Sequence, residues 1–534
     1  MKIQDYSDVP LRTSKEDILK KVHTVKTAYH NRLTLNIDFR LDQLRNLFYA
    51  IKDNEDVLRQ AVEKDFHRSC HETQNLELNT ALSEIDLAIN QLPEWIKDEK
   101  APFPGLTFAT ASPKVQHTPL GTVLMISPWN YPFFLSLIPL ASIIAAGNTV
   151  VWKPTEIIPN TTRALTKLIE KHLDPSLIQI VNGEVEETTT LLEQPFDKIL
   201  FTGSGRIGKV VAAAASKHLT PTILELGGKS PALVGASADI KVSAKRIAWG
   251  KFTNSGQTCV APDYVLVDST VHDQFVAELK KVVREFFPVS GPANEDLAHI
   301  PSDRLWNRLN DLLKRTKGTI VEGGDTEQST RYVAPTIVTN VKPDDALMED
   351  ELFAPILPII PVDNIATTGV EYVIHHHDTP LALYVFTKNN QEADTILEHT
   401  RSGGAIVNDT LLHVGCKTVP FGGIGQSGYG AYHGKYGFEA FSHKRAVLRQ
   451  PFWVEFLLKM RYPPYSDAKT SRMARLGTVS PFYGRSGPVR KSLIRRILGS
   501  KLFWLVLLFA VGQKFVSVDL RLALKQRFKK EYRL

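Results

Sequence analysis

Cysteine is scarce in this chain: its 534 residues include only Cys70, Cys259 and Cys416. So few, so widely scattered, exclude a disulfide framework and point to a reducing compartment. A signal-peptide core is missing too, because the N-terminus is the charged stretch Met1-Lys-Ile-Gln-Asp-Tyr-Ser-Asp8. No internal repeat stands out. Zinc-type spacing is also lacking: Cys70 sits in His67-Arg-Ser-Cys-His71, which fits no standard pattern. The run His375-His376-His377-Asp378 cannot turn consecutive side chains onto one ion from a regular helix. No metal site is therefore expected, and the run reads as a helix end before a strand at Leu381 to Thr387. Basic residues occur without any nucleic-acid recognition module, so no nucleic-acid partner is expected.

With 43% hydrophobic and 23% charged residues, the chain is globular, with length for two or three domains. Helix-period patterning runs from about Glu16 to Lys97. After it come short apolar runs such as Thr122-Val-Leu-Met-Ile126, Thr149-Val-Val-Trp152 and Lys198-Ile-Leu-Phe201, separated by Gly and Pro. Short strands alternating with helical stretches predict an α/β fold with parallel sheets.

The net charge of +7 conceals an asymmetry. Residues 451–534 hold 18 Lys or Arg against 4 Asp or Glu, a balance of +14, while 1–450 hold 46 against 53. The basic tail contains Leu502-Phe-Trp-Leu-Val-Leu-Leu-Phe-Ala-Val511, flanked by Arg495, Arg496, Lys501 and Lys514. As a helix this run is about 15 Å long, against a hydrocarbon thickness of ~30 Å. Extended through Val518, with Lys514 snorkelling, it reaches a borderline spanning length. The tail is expected to associate with membrane through about 502–518, lying in the interface or spanning as a short anchor.

Cys259 is the thiol with a reactive setting. It closes Phe252-Thr-Asn-Ser-Gly-Gln-Thr-Cys259, whose small and polar residues leave the sulfur accessible. Upstream, Leu224-Glu-Leu-Gly-Gly-Lys-Ser-Pro231 offers Glu225. The strand, glycines and helix of Lys198-Ile-Leu-Phe-Thr-Gly-Ser-Gly-Arg-Ile-Gly208 match a dinucleotide fingerprint, with the helix starting near Arg206. That fingerprint wants a ribose-binding acid about 20 residues on, which would also be Glu225. Glu225 is thus either a ribose ligand or a general base. Ser127-Pro-Trp-Asn-Tyr-Pro132 presents Asn130, which reads locally as a cap for the next helix, with an oxyanion donor as the alternative. Lys153 and Glu156 stand after a strand, where open α/β sheets bind ligands. His413 reads as a loop histidine with local hydrogen bonds.

Taken together, Pro128-Trp-Asn-Tyr-Pro132, Lys153-Pro-Thr-Glu156, Phe201-Thr-Gly-Ser204, Leu224-Glu-Leu-Gly-Gly-Lys-Ser-Pro231, Gly256-Gln-Thr-Cys259, Glu351-Leu-Phe-Ala-Pro355 and Pro420-Phe-Gly-Gly-Ile-Gly-Gln-Ser-Gly428 resemble the aldehyde dehydrogenase superfamily. The resemblance covers roughly residues 20–450 and is strongest to the fatty aldehyde dehydrogenase class, its fungal branch in particular. Ala354, where many relatives have Gly, is a departure, and Thr258 stands at a position variable in the family; neither removes a group the chemistry needs.

The resemblance implies two parallel-sheet α/β domains and a small bridging element. Residues 20–97 and 120–227 would bind NAD, with NADP possible; 228–413 would be catalytic; 98–119 and 414–450 would form the bridge. Strands near Val115–Thr118 and Ala446–Arg449 would pair with a partner subunit in a homodimer. Cys259 would be the nucleophile, Asn130 with the Cys259 backbone N–H the oxyanion hole, and Glu225 the general base. Lys153 and Glu156 would hold the adenosine ribose, Gly203 and Ser204 the pyrophosphate region, and Glu351 the nicotinamide ribose, with Phe353 beside it and Gly208 also among the cofactor-binding positions. Glu156 then replaces Glu225 as the ribose acid.

The implied reaction is NAD(P)-dependent oxidation of aldehydes, long-chain fatty aldehydes first, aromatic or medium-chain ones second. A Cys-dependent esterase or acyl transferase is the alternative from another class. The implied location is an intracellular membrane (endoplasmic reticulum, mitochondrial outer membrane or lipid droplet), with the catalytic body facing the cytosol.

Overall fold

The computed structural model describes residues 2, 3, 5–102, 108 and 110–477; the apolar segment 502–518 lies outside them. Among the described residues no helix is long and apolar enough to cross a membrane. The chain divides into two compact units, the first comprising 1–100 and 114–447, the second 101–113 and 448–534.

The first unit begins with helices Lys15–His30, Ile37–Asp53, Glu55–Phe66 and Asn79–Trp95. The first two starts follow capping chemistry: Ser14 accepts a hydrogen bond from Asp17 N, and Asn36 from Asp38 N. Two sheets follow. One has six strands in the order Gly428–Tyr429, Thr222–Glu225, Lys198–Thr202, Thr122–Ile126, Thr149–Lys153, Ile178–Ile180. All its pairings are parallel except that of Gly428–Tyr429 with Thr222–Glu225. The central strands are buried on both faces, which explains their unbroken apolar runs.

The second sheet has seven strands in the order Thr319–Glu322, Thr336–Thr339, Ile356–Val362, Tyr264–Asp268, Pro231–Val234, Ala382–Phe386, Gly404–Val407. Only its edge strand Thr319–Glu322 is antiparallel. The parallel α/β reading of the sequence therefore describes both sheets. The histidine run ends helix Val370–His376 ahead of strand Ala382–Phe386, as its pattern predicts.

A third, antiparallel sheet joins Glu99–Lys100, Lys114–Pro119 and Ser442–Val447, with His117 opposite Lys444. The two bridge strands thus pair with each other inside one chain. In the second unit, the described tail carries helices Glu455–Leu458 and Asp467–Gly477. Phe452 is 99% exposed and Trp453 67%.

Candidate functional site

Chain reversals at the carboxyl ends of the six-stranded sheet collect most of the chemistry. Strand Thr122–Ile126 runs into the loop bearing Asn130, and helix Phe134–Ala146 follows with Phe133 as N-cap and no capping bond from that residue's side chain. Asn130 does not cap it. Its Nδ2 donates instead to the Gln257 carbonyl at 3.0 Å. Glu77 does the capping from afar, its Oε2 accepting Phe133 N at 2.8 Å and Phe134 N at 3.1 Å. A carboxylate reaching in from another helix frees the asparagine, which no local pattern could show.

The cysteine loop is built on unusual backbone. After helix Ile240–Phe252, Asn254 (φ 52°), Ser255 (φ 54°) and Gly256 (φ 71°) are all left-handed. Non-glycine residues in that region cost roughly 1–2 kcal/mol each, so the surroundings must hold them. They do: Asn254 N donates to the Glu72 carboxylate at 3.1 Å, Asn254 Nδ2 to the Asn130 carbonyl at 2.9 Å, and Gln257 Nε2 to Asn254 O at 3.0 Å. At Gly256 a Cβ would fall 2.1 Å from Ala354 O.

Cys259, partly exposed, opens onto a cavity of about 150 Å³ whose walls include Tyr131, Phe134, Trp249, Leu412 and Phe421. Its thiol faces the N–H groups of Cys259 and Val260. Burial pushes the thiol pKa well up, with the nearby carboxyls Glu351 and Glu225 adding to the rise.

Glu225 ends strand Thr222–Glu225 and is 2% exposed, both oxygens lacking a partner among the described residues. Burial raises its pKa far above the carboxylate range. Tyr432, fully buried with a hydroxyl that has no partner among the described residues, senses the charges of both Glu225 and Cys259. Glu351 packs over Gly227, where a Cβ would sit 1.9 Å from its Oε2. Burial, reinforced by Asp263, pushes Glu351 up to about 8 against a hydrogen bond from the Gly228 amide. Phe353 (φ 53°) meets Trp129 edge-on at 5.4 Å.

Lys153 closes its strand and its Nζ contacts Glu156 Oε2 at 2.7 Å. Gly203 and Ser204 lead into helix Gly205–Ser216, whose N-cap Ser204 makes no side-chain cap. Uncapped N–H groups at a helix start suit an anion. Gly208 lies inside that helix, its missing Cβ 2.7 Å from Leu226 Cδ2, a packing position.

Among the described residues His413 makes no hydrogen bond with its ring nitrogens, which are buried. It packs between Tyr384 and Phe421 with centroids at 6.2 and 6.4 Å, and burial lowers it to about 4. The expected local hydrogen bonds of a loop histidine are absent, because the loop folds back over aromatic rings. Its neighbours Leu411, Leu412 and Val414 line the cavity instead. Cys70 and Cys416 are exposed.

Glu99, His117 and Glu439 place ligand-type atoms within 4.8 Å of one another, a cluster the sequence does not suggest. Lys435 and Lys444 already contact its carboxylates.

The aldehyde dehydrogenase family model matches residues 4–447. The chain belongs to that family. Rat aldehyde dehydrogenase family 3 member A2 is 42% identical over 85% of this chain and 92% of its own. A dimeric, NADP-preferring rat aldehyde dehydrogenase is 41% identical over 84% and 98%. The beta-apo-4'-carotenal oxygenase of Neurospora crassa is 38% identical over 92% and 90%. Among solved structures, substrate-bound Staphylococcus aureus AldH matches with a TM-score of 0.82 and 38% identity, over 86% of this chain and 99% of that one. This chain is therefore an NAD(P)-dependent aldehyde dehydrogenase, oxidising aldehydes to acids.

Sequence reasoning missed Arg68, Glu77, Asn254 and Tyr432. Only Asn254 carried a signal, as part of the small-polar run before Cys259.

Proposed function

We propose that this aldehyde dehydrogenase acts on lipophilic, long-chain aldehydes, with Cys259 as nucleophile, Asn130 as oxyanion donor and Glu225 as base. The observation that carries the reading is the apolar wall of the cavity at Cys259, formed by Phe134, Leu135, Trp249, Leu411, Leu412, Val414 and Phe421 among others. Burying methylene groups there is worth ~0.8 kcal/mol each, which favours a long chain over a short one. The carotenal oxygenase relative, by its name, acts on a carotenal.

The residues support a two-step reaction. The Cys259 thiol gives its proton to Glu225 or to water entering the cavity, and the sulfur attacks the aldehyde carbon, leaving a negative oxygen. Asn130 spends one amide N–H on Gln257 and keeps the second for that oxygen, beside the Cys259 N–H. NAD(P), held by Lys153, Glu156 and Glu351, would supply the hydride acceptor for that carbon. Glu225 then takes a proton from the water that cleaves the resulting Cys259 thioester. A carboxyl buried without partners favours its protonated form, so Glu225 works as a base only where it reaches water and only as pH rises.

For the cofactor, Lys153 and Glu156 suit the adenosine ribose, the Gly203–Ser204 turn the pyrophosphate, and Glu351 the nicotinamide ribose, with Phe353 beside it. The uncapped helix start at Ser204 and the fit of Glu351 over Gly227 support this assignment. Gly208 contributes by letting the helix approach Leu226. Glu156 repels a 2′-phosphate, which favours NAD over NADP. Residues 20–97 and 120–227 serve as the cofactor domain, 228–413 as the catalytic domain, and 98–119 with 414–450 as the bridge.

The homodimer and the membrane belong to the same reading. Ser442–Val447 is an edge strand, able to accept another copy's strand. Exposed Phe452, Trp453, Phe456 and Tyr465 precede the basic, apolar tail, an arrangement suited to a lipid interface. The enzyme is thus assigned to an intracellular membrane with its catalytic body in the cytosol. A kcat/KM series of aldehydes with NAD, on the full chain and on a truncation near Tyr465, tests this. A rise with chain length supports it; a flat series points to aromatic or medium-chain substrates.

A further inference from the structure

We infer that the buried pair Arg68–Glu77 is the device that fixes the oxyanion donor, and that Arg68 is a positioning residue for Asn130; this rests on Asn130 being that donor. The two side chains are 1% and 0% exposed and paired directly. Such a buried pair adds little stability over apolar residues of the same volume, so geometry is its better explanation.

The geometry is specific. Arg68 Nη1 donates to the Asn130 carbonyl at 3.0 Å and to Asn254 Oδ1 at 3.4 Å, while Nε donates to Thr73 Oγ1 at 3.2 Å. Its other amino group holds Glu77. Glu77 in turn accepts from Phe133 N and Phe134 N, on the far side of the same loop. One ion pair therefore grips the Asn130 loop at both ends. The guanidinium lies 5.4 Å from each of the Phe66 and Tyr131 rings. Tyr131 meets Thr258 at 2.9 Å, next to Cys259. Arg68 thus holds the Asn130 carbonyl directly and reaches the cysteine loop through Asn254, without lining the cavity. A lysine, with donors at a single point, cannot reach Thr73, Asn130 and Glu77 together.

The test is a cycle on the full chain, measuring kcat/KM for one aldehyde with NAD and the melting temperature. Arg68→Lys is expected to lower kcat/KM about tenfold, since displacements near 1 Å cost up to ~100-fold. In an Asn130→Ala background the same substitution should cost less than about twofold, because coupled sites are non-additive. Equal losses in both backgrounds, or no loss from Arg68→Lys alone, overturn the proposal. Wild-type kcat/KM in Asn130→Ala by itself overturns the donor reading beneath it. Should Arg68→Lys not fold, Thr73→Val, which removes only the hydroxyl orienting Nε, carries the same comparison with a loss of about two- to threefold expected.

Discussion

Asn130 and Gln257, 127 positions apart, are tied by a 3.0 Å hydrogen bond from the Asn130 amide to the Gln257 carbonyl. The tie links the loop after strand Thr122–Ile126 to the loop that carries Cys259. Asn130→Ala removes both this tie and the donor proposed for the oxyanion. Its kcat should fall by about 100- to 1000-fold, the loss typical of one oxyanion donor. Steady-state NADH formation checks it, with unchanged melting temperature separating chemistry from folding.

Gly256 admits no side chain. Its φ of 71° and the 2.1 Å approach of a Cβ to Ala354 O, a backbone atom, mean that Gly256→Ala must shift the loop. A stability loss of roughly 1–3 kcal/mol is expected, as for other overpacked sites. Activity should fall further than stability implies, because the shift reaches Cys259. Chemical denaturation and kcat/KM on the same sample separate the two effects.

Leu412 is both exposed and part of the cavity wall. Leu412→Ser should raise KM for long-chain aldehydes about five- to tenfold, given ~1.5–3 kcal/mol for a fully buried leucine. Short aldehydes should change little. Equal effects on both would remove Leu412 from the substrate path.

Glu351 gives a pH prediction with a definite sign. Its pKa is raised to about 8, so the folded state binds a proton more tightly than the unfolded chain. The stability from that proton is complete below the unfolded carboxylate range, near pH ~4.3, and is lost as pH rises towards about 8. Glu351→Gln should therefore gain melting temperature relative to the wild type as pH rises from 5 to 9. A difference independent of pH would contradict the raised value.

Much of the site was legible because it is written in Gly, Pro and short apolar runs. Cys259, Glu225, Glu351 and Lys153 occupy loops or strand ends that such punctuation marks. The parts that stayed hidden act across the chain. Arg68 and Glu77 lie in a charged helical region and look like solvated surface, yet the fold buries them against a loop over 50 residues away. Asn130 reads as a cap only while Glu77, the group that takes that duty, is out of view. His413 misled for the same reason, since the rings covering it come from Tyr384 and Phe421.

The central claim is a covalent acyl group on Cys259 released by Glu225. Intact-protein mass measurement of Glu225→Gln, mixed with NAD and a long-chain aldehyde, tests it most directly. The account predicts a mass gain equal to the acyl group, absent in Cys259→Ala, with NADH formed once and turnover stalled. Normal turnover in Glu225→Gln, or NADH formation by Cys259→Ala, would contradict it.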